Sequence, residues 1–183
     1  MIPKFHGRVR KNRAGFTLTE VLVVVMIIAI LMILGIAQYL KTSETGKAEQ
    51  ASAHLQMVAA GRRTYSLDHV TLYASGPIIN ACNSGACAGN GDPCDLVRCG
   101  NLTVQDWDSQ PYNFYSLDAS GPPSACNLGG VAGTLIACAS RKICGAGVTK
   151  ACVSASSPYS TWGYLVDSAG EMQTVGGAPP PGS

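Results

Sequence analysis

Residues 11–20 read Lys11-Asn12-Arg13-Ala14-Gly15-Phe16-Thr17-Leu18-Thr19-Glu20, and residues 21–37 continue VLVVVMIIAILMILGIA, 17 positions without a polar side chain. A helix crossing a bilayer core needs about 20 largely apolar residues, and Phe16 and Leu18 bring the segment to that length. Five of the 13 basic residues (Lys4, Arg8, Arg10, Lys11, Arg13) precede residue 14, and no acidic residue precedes Glu20. A basic flank stays in the cytoplasm, so everything after the apolar run is expected on the far side of the membrane. Glu20 is the unusual residue, a carboxylate at the edge of the apolar run. Thr17-x-x-Glu20 has the form of a capping box, in which Thr17 caps the helix and Glu20 reaches back to the cap amide. The helix dipole also favours negative charge there.

Two simpler readings compete for this segment. A secretory signal also has a charged start, an apolar stretch and a small-x-small cleavage site, for which Gly35-Ile36-Ala37 qualifies. A plain membrane anchor needs no processing at all. Neither accounts for Glu20 together with the residues before it. Lys11 to Glu20 followed by the apolar run resembles the prepilin signature of the type IV pilin and type II secretion pseudopilin family: a short basic leader, Gly, Phe-Thr-Leu-x-Glu, then a hydrophobic helix. The resemblance implies cleavage after Gly15 by a prepilin peptidase, methylation of the new amine of Phe16, and retention of the apolar helix. It also implies that Glu20 pairs during assembly with the N-terminal amine of a neighbouring subunit. Ala14 stands where a basic residue commonly precedes the glycine, Thr19 where an aliphatic one is common, and Ala37 where many such helices carry proline. Alanine favours helix where proline would bend it, which leaves Gly35 as the weak point.

The apolar run passes without a proline break into residues 38–67, where Ala48, Ala51, Leu55, Val58, Ala59 and Tyr65 recur at helical spacing. Lys47, Glu49, Gln50, Arg62 and Arg63 supply the polar positions, while Gly46 and Gly61 each cost about 1 kcal/mol relative to alanine. A helix over residues 16–67 would be roughly 78 Å long at 1.5 Å per residue. Composition then shifts to Gly, Ser, Asn, Pro and Cys, and residues 76–100, mostly turn chemistry, read as a disulfide-tied loop. Strands are expected at 111–117 (PYNFYSL), 133–140 (GTLIACAS), 162–167 (WGYLVD) and 171–175, the last two joined by a turn at Asp167-Ser168-Ala169-Gly170. The tail GGAPPPGS reads as flexible and exposed. The expected class is α+β: a long N-terminal helix, transmembrane in its first half, packed against a small antiparallel, disulfide-rich sheet head. The divisions are a leader at 1–15, a membrane or filament-core helix at 16–37, its amphipathic continuation at 38–67 and the head at 68–183.

Eight cysteines (Cys82, Cys87, Cys94, Cys99, Cys126, Cys138, Cys144, Cys152) all follow the helix, an even number suited to a disulfide framework in an oxidising compartment. Eight cysteines allow 105 pairings, and the spacings choose none of them. Zinc is the alternative, but no C-x2-C pair occurs and no histidine is near in sequence. Removing residues 1–15 leaves 8 basic against 11 acidic side chains, a net of −3, so a nucleic-acid-binding body is not indicated. No catalytic constellation emerges. His6 lies in the leader, and His54 and His69 read as surface residues without a nucleophile motif beside them. No Walker loop, H-E-x-x-H or cofactor motif occurs. Asp106, Asp108, Asp118, Asp167 and Glu171 are possible calcium ligands but match no EF-hand, and read as solvated loop carboxylates. Trp107, Tyr112, Tyr115, Tyr159 and Trp162 form either a binding surface or, by default, sheet core.

The function expected is structural: helices at 16–37 bundle into a filament core and heads pack outside, contacts that propagate because they do not close. The resemblance implies as partners further copies of the chain, other pilins, an inner-membrane assembly platform and the prepilin peptidase. It places the chain in the inner membrane before assembly, then in a surface pilus or a periplasmic pseudopilus. A pseudopilin or minor pilin of a secretion or DNA-uptake system is the near alternative. A secreted or membrane-tethered disulfide-rich binding module is the distant one.

Overall fold

A computed structural model of the chain describes residues 15–69, 76–118, 126, 134–145 and 147–182. The basic leader, with His6, lies outside the described residues apart from Gly15. The element order is α1 (Leu18–Asp68), β1 (Gly76–Ile78), a 3-10 turn (Asn80–Asn83), α2 (Asp95–Arg98), β2 (Tyr112–Ser116), β3 (Leu135–Arg141), β4 (Gly163–Asp167) and β5 (Met172–Val175). The chain divides into two compact units, residues 1–41 and 42–183.

In the first unit α1 carries a nearly unbroken apolar surface, and its described side chains are exposed. Of its two straight stretches, Leu18–Ile33 and Gln38–Asp68, neither alone is long and apolar enough to cross a membrane; together they meet the length and composition. Gly35, the weakest helix former of the run, lies between them.

The second unit holds the core. Along α1 the buried positions are Glu44, Ala48, Ala51, Ser52, Leu55, Val58, Ala59, Gly61 and Tyr65, a stripe at the helical period. The apolar members are the six that the sequence pattern selects. They share one core with Tyr112 and Phe114 of β2, Ala137 and Ala139 of β3, and Tyr164 and Val166 of β4. Those strand residues face one side because the pairing aligns Phe114 with Ala139 and Ala139 with Tyr164. Alanine on the helix and in the central strand leaves room for the flanking tyrosines and Phe114. The sheet is an antiparallel meander in the order β1-β2-β3-β4-β5. Its other face carries a smaller cluster of Leu117, Cys126, Leu135, Cys138 and Leu165. The register shift between Leu135 and Ala137 lets Ile136 join the helix-side core while Leu135 joins the opposite one.

Four disulfides pair all eight cysteines: Cys82–Cys94, Cys87–Cys99, Cys126–Cys138 and Cys144–Cys152. The zinc alternative therefore fails for the oxidised chain.

Several expectations need correction. Residues 76–100 are tied by two disulfides that interlock around the 3-10 turn and α2, as expected, but they also supply a strand, because β1 pairs with β2. The signal was weak because β1 is three residues long. Part of the C-terminal tail is also docked: Ala178 is buried, and Pro179 O accepts a bond from the Tyr164 hydroxyl at 2.9 Å. Gly176 makes this possible with φ +67°, and a side chain there would strike the Thr161 carbonyl. Finally, His54 is half-buried rather than a free surface residue; its ring stacks on Phe114 at 5.8 Å and meets Trp107 edge-on at 6.4 Å. Burial lowers its pKa. The expected turn at Asp167–Gly170 does form, with Asp167 Oδ1 accepting from the amides of Gly170 at 2.8 Å and Glu171 at 2.9 Å.

Candidate assembly site

Helix α1 starts where its first turn supplies its own cap. Glu20 N–H donates to Thr17 Oγ1 at 3.3 Å, and Thr17 N–H donates back to Glu20 Oε2 at 3.4 Å. The Thr17 hydroxyl donates to the same carboxylate oxygen at 3.3 Å. This is the reciprocal capping box that the spacing allows, and it satisfies two amides that the first helical turn leaves open. It also holds the Glu20 carboxylate four residues beyond Phe16, at the N-terminal end of the apolar surface.

Among the described residues that surface is exposed. Phe16 is 81% exposed and Leu18 82%, and the large apolar side chains from Val21 to Ile33 are exposed by 46–76%. Phe16, Leu18, Val21, Leu22, Val25 and Met26 line one continuous apolar depression along the helix. Aliphatic area on this scale is worth about 25 cal/mol per Å2 once removed from water, whether by lipid or by neighbouring helices. The element can therefore serve as an anchor, as a bundling surface, or as each in turn. Gly15 and Phe16, the expected cleavage pair, are exposed and lie just before the capped turn.

The other candidate residues fall elsewhere. Trp107, Tyr112 and Trp162 are buried in the core, and Tyr115 and Tyr159 are half-buried against it, so the aromatic set forms core rather than a binding surface. The five carboxylates do not converge. Hydrogen bonds from the Ser109 side chain, from Asn80 Nδ2 at 2.8 Å and from the Ser109 amide at 3.2 Å hold the Asp106 carboxyl below its ordinary value. Asp106 and Asp108 line a polar cleft of about 580 Å3 with Lys142, whose ammonium donates to the Asp108 carbonyl. Burial lowers the Lys142 pKa, while the charges of Asp108 and Asp106 act in the opposite direction. Asp167 caps the β4–β5 turn instead.

Three groups that the sequence reading left apart do come together: His69, Cys87 and Cys99, with ligating atoms within 4.8 Å of one another. Sequence distance hid this, because His69 follows α1 and the two cysteines sit in the interlocked loop.

Comparison with known proteins bears on the N-terminal element first. Residues 10–36 match the family described as "Prokaryotic N-terminal methylation motif". The chain is also similar to the type II secretion system core protein G of Pseudomonas aeruginosa, with 28% identity over 123 residues that cover 66% of this chain and 85% of that protein. No solved structure matches the chain. The methylation motif on a capped apolar helix, the five-stranded antiparallel head that follows it in sequence and this similarity together support the type IV pilin and type II secretion pseudopilin family.

Proposed function

We propose that the chain is the structural subunit of a type IV pilus-like filament, cleaved after Gly15, methylated on the new amine of Phe16 and assembled through α1. The observation that carries this reading is the uncovered apolar surface that begins at Phe16, directly beside the only carboxylate in the segment, Glu20. Two unit charges about 4 Å apart attract by about 1 kcal/mol in water and about 4 kcal/mol near a protein surface. Burying the new amine of one subunit beside the Glu20 carboxylate of the next rewards one axial stagger and penalises others. The partners are further copies of the chain and other pilins, delivered by an inner-membrane platform after a prepilin peptidase has acted. The chain waits in the inner membrane with its head outside the cytoplasm.

A second reading is favoured by the similarity to the secretion core protein: the filament is a periplasmic pseudopilus rather than a surface pilus. Filaments on intact cells support the first reading, and loss of exoprotein secretion on deletion supports the second.

Mass spectrometry of the mature chain tests the shared core of both. A chain beginning at methylated Phe16 is expected; one beginning at Gln38 means ordinary secretion and overturns the proposal. The charge and capping roles of Glu20 are separable. Glu20→Gln keeps an acceptor for the Thr17 amide but removes the charge, whereas Thr17→Ala removes the cap and keeps the charge. Filament yield is expected to collapse in Glu20→Gln and to fall much less in Thr17→Ala, with membrane insertion intact in both. The reverse ranking would leave Glu20 a capping residue only.

A further inference from the structure

Among the described residues, one group of three metal-ligating side chains comes together, and it is closed by a disulfide: His69 with Cys87 and Cys99. We propose that these residues form a redox-gated site for a thiophilic divalent cation of the zinc type, latent while the disulfide is closed and competent when it opens.

The three ligands hang from one buried pair, Tyr65 and Asp95, each with no exposed surface. The Tyr65 hydroxyl donates to Asp95 Oδ2 at 3.4 Å. On the cysteine side, the amide of Ala88, next to Cys87, donates to Asp95 Oδ1 at 3.3 Å, and that of Asn90 donates to Oδ2 at 3.1 Å. The amide of Cys99 donates to the Asp95 carbonyl at 2.8 Å. On the histidine side, the His69 ring stacks on Tyr65 at 4.0 Å, and Nδ1–H donates to the Tyr65 carbonyl at 3.4 Å. That bond leaves the Nε2 lone pair free, as ligating imidazoles commonly arrange it, with the far nitrogen tied to a backbone carbonyl. The positions of all three ligands thus rest on hydrogen bonds and stacking as well as on the Cys87–Cys99 bond.

The two interlocked disulfides differ in access. Cys82 is buried, whereas Cys87 is exposed and Cys99 half-buried. A dithiol therefore reaches Cys87–Cys99 first, and Cys82–Cys94 keeps the loop closed around it. The exchange balances: the dithiol is oxidised to its disulfide, and Cys87 and Cys99 each gain one electron and one proton. Metal binding then displaces both thiol protons, giving two thiolates and one imidazole, with water in the fourth position of a tetrahedral site. Such ligand atoms stand roughly 3.5–4 Å apart at bond lengths of about 2.0–2.3 Å; the two sulfurs separate to that distance once their bond is broken, and the imidazole nitrogen already lies within 4.8 Å of both. The site fills when the head is reduced, and it empties when a small disulfide takes two electrons from the thiolates and two protons from water, so that Cys87–Cys99 closes and the cation leaves.

The test uses the full chain in detergent, treated with a graded series of a dithiol and then with Co2+ as the spectroscopic stand-in for zinc. Alkylation and mass mapping at each step are expected to mark Cys87 and Cys99 while Cys82 and Cys94 stay protected. One equivalent of Co2+ should then give a thiolate-to-cobalt charge-transfer band that zinc abolishes. His69→Ala, which leaves the disulfide and the Tyr65–Asp95 bond in place, should weaken Co2+ binding by at least about tenfold. The proposal is overturned if Cys87 and Cys99 are alkylated but no such band appears. It is equally overturned if His69→Ala binds as tightly as the wild type, or if Cys82–Cys94 opens first.

Discussion

Arg141 ends β3 with all three nitrogens of its guanidinium engaged. Nε and one terminal nitrogen reach Glu44 Oε2 at 3.1 and 3.0 Å, and the other donates to the carbonyls of Pro111 and Ala151. The plane lies 5.5 Å above the Tyr112 ring. One side chain thereby ties α1 to β3, to the start of β2 and to the loop closed by Cys144–Cys152. The Arg141 side chain is 1% exposed and that of Glu44 11%, so removing the cation strands a carboxylate away from water. Arg141→Met is expected to cost about 3 kcal/mol, read as a lowered urea midpoint at neutral pH. Arg141→Met with Glu44→Met should recover most of it, because two apolar side chains replace the pair without an orphaned charge. The pH dependence follows from Glu44 itself. Burial raises its pKa, but the hydrogen bond from Lys47 and the charges of Arg141 and Lys47 outweigh burial and leave it below the ordinary 4.5. A carboxyl depressed in the folded state contributes stability that is present above its unfolded pKa and is lost as pH falls through the folded value. The wild type should therefore lose its advantage over Glu44→Gln as pH drops below about 4.5, measured as converging urea midpoints. A constant gap across that range would count against the pair.

Of the three glycines of helix α1, Gly46 and Gly61 look alike in sequence and differ in the fold. A Cβ at Gly46 would meet nothing within 4 Å, whereas one at Gly61 would lie 2.7 Å from the Asn101 carbonyl and 3.0 Å from Leu102 Cδ2. Gly61 is thus where the helix admits the chain leaving α2, and backbone there cannot yield as a flexible side chain would. Gly46→Ala should stabilise the head by about 0.5–1 kcal/mol through helix propensity alone. Gly61→Ala gains the same propensity and loses more by displacing Asn101 and Leu102, so its melting temperature should fall. Matching signs for the two substitutions would refute this assignment. Propensity alone treats both residues as equal defects. The element itself was legible because its apolar stripe has the helical period over residues 48–65, whereas the glycine's partner arrives from forty residues downstream. The same limit explains β1, whose three residues become a strand only by pairing with β2.

Across the whole molecule, what the sequence made legible was what repeats or stands adjacent. The capping residues Thr17 and Glu20, the alternation in β2 and the turn at Asp167–Gly170 each carry their own signal within a few residues. The disulfide pairing, the Glu44–Arg141 bond across 97 residues and the gathering of His69 with Cys87 and Cys99 depend on three-dimensional closure, which no local pattern encodes. These long-range ties lie within the unit of residues 42–183, together with both hydrophobic clusters and all four disulfides. The exposed aliphatic run from Val21 to Ile36 lies entirely outside that unit. A chain beginning at Thr42 should accordingly fold, form its disulfides and stay monomeric without detergent, since it keeps its core and loses the surface that drives association. A chain beginning at Gln50 removes Glu44 and Lys47 as well, leaving Arg141 buried beside no carboxylate. Its urea midpoint should drop well below that of the longer head, by an amount similar to Glu44→Ala in the longer head. Size-exclusion chromatography and urea melts of the two heads decide the matter. Aggregation of the Thr42 head would mean that the apolar helix is needed for folding as well as for assembly, and equal midpoints would mean that the buried ion pair does not hold α1 to the sheet.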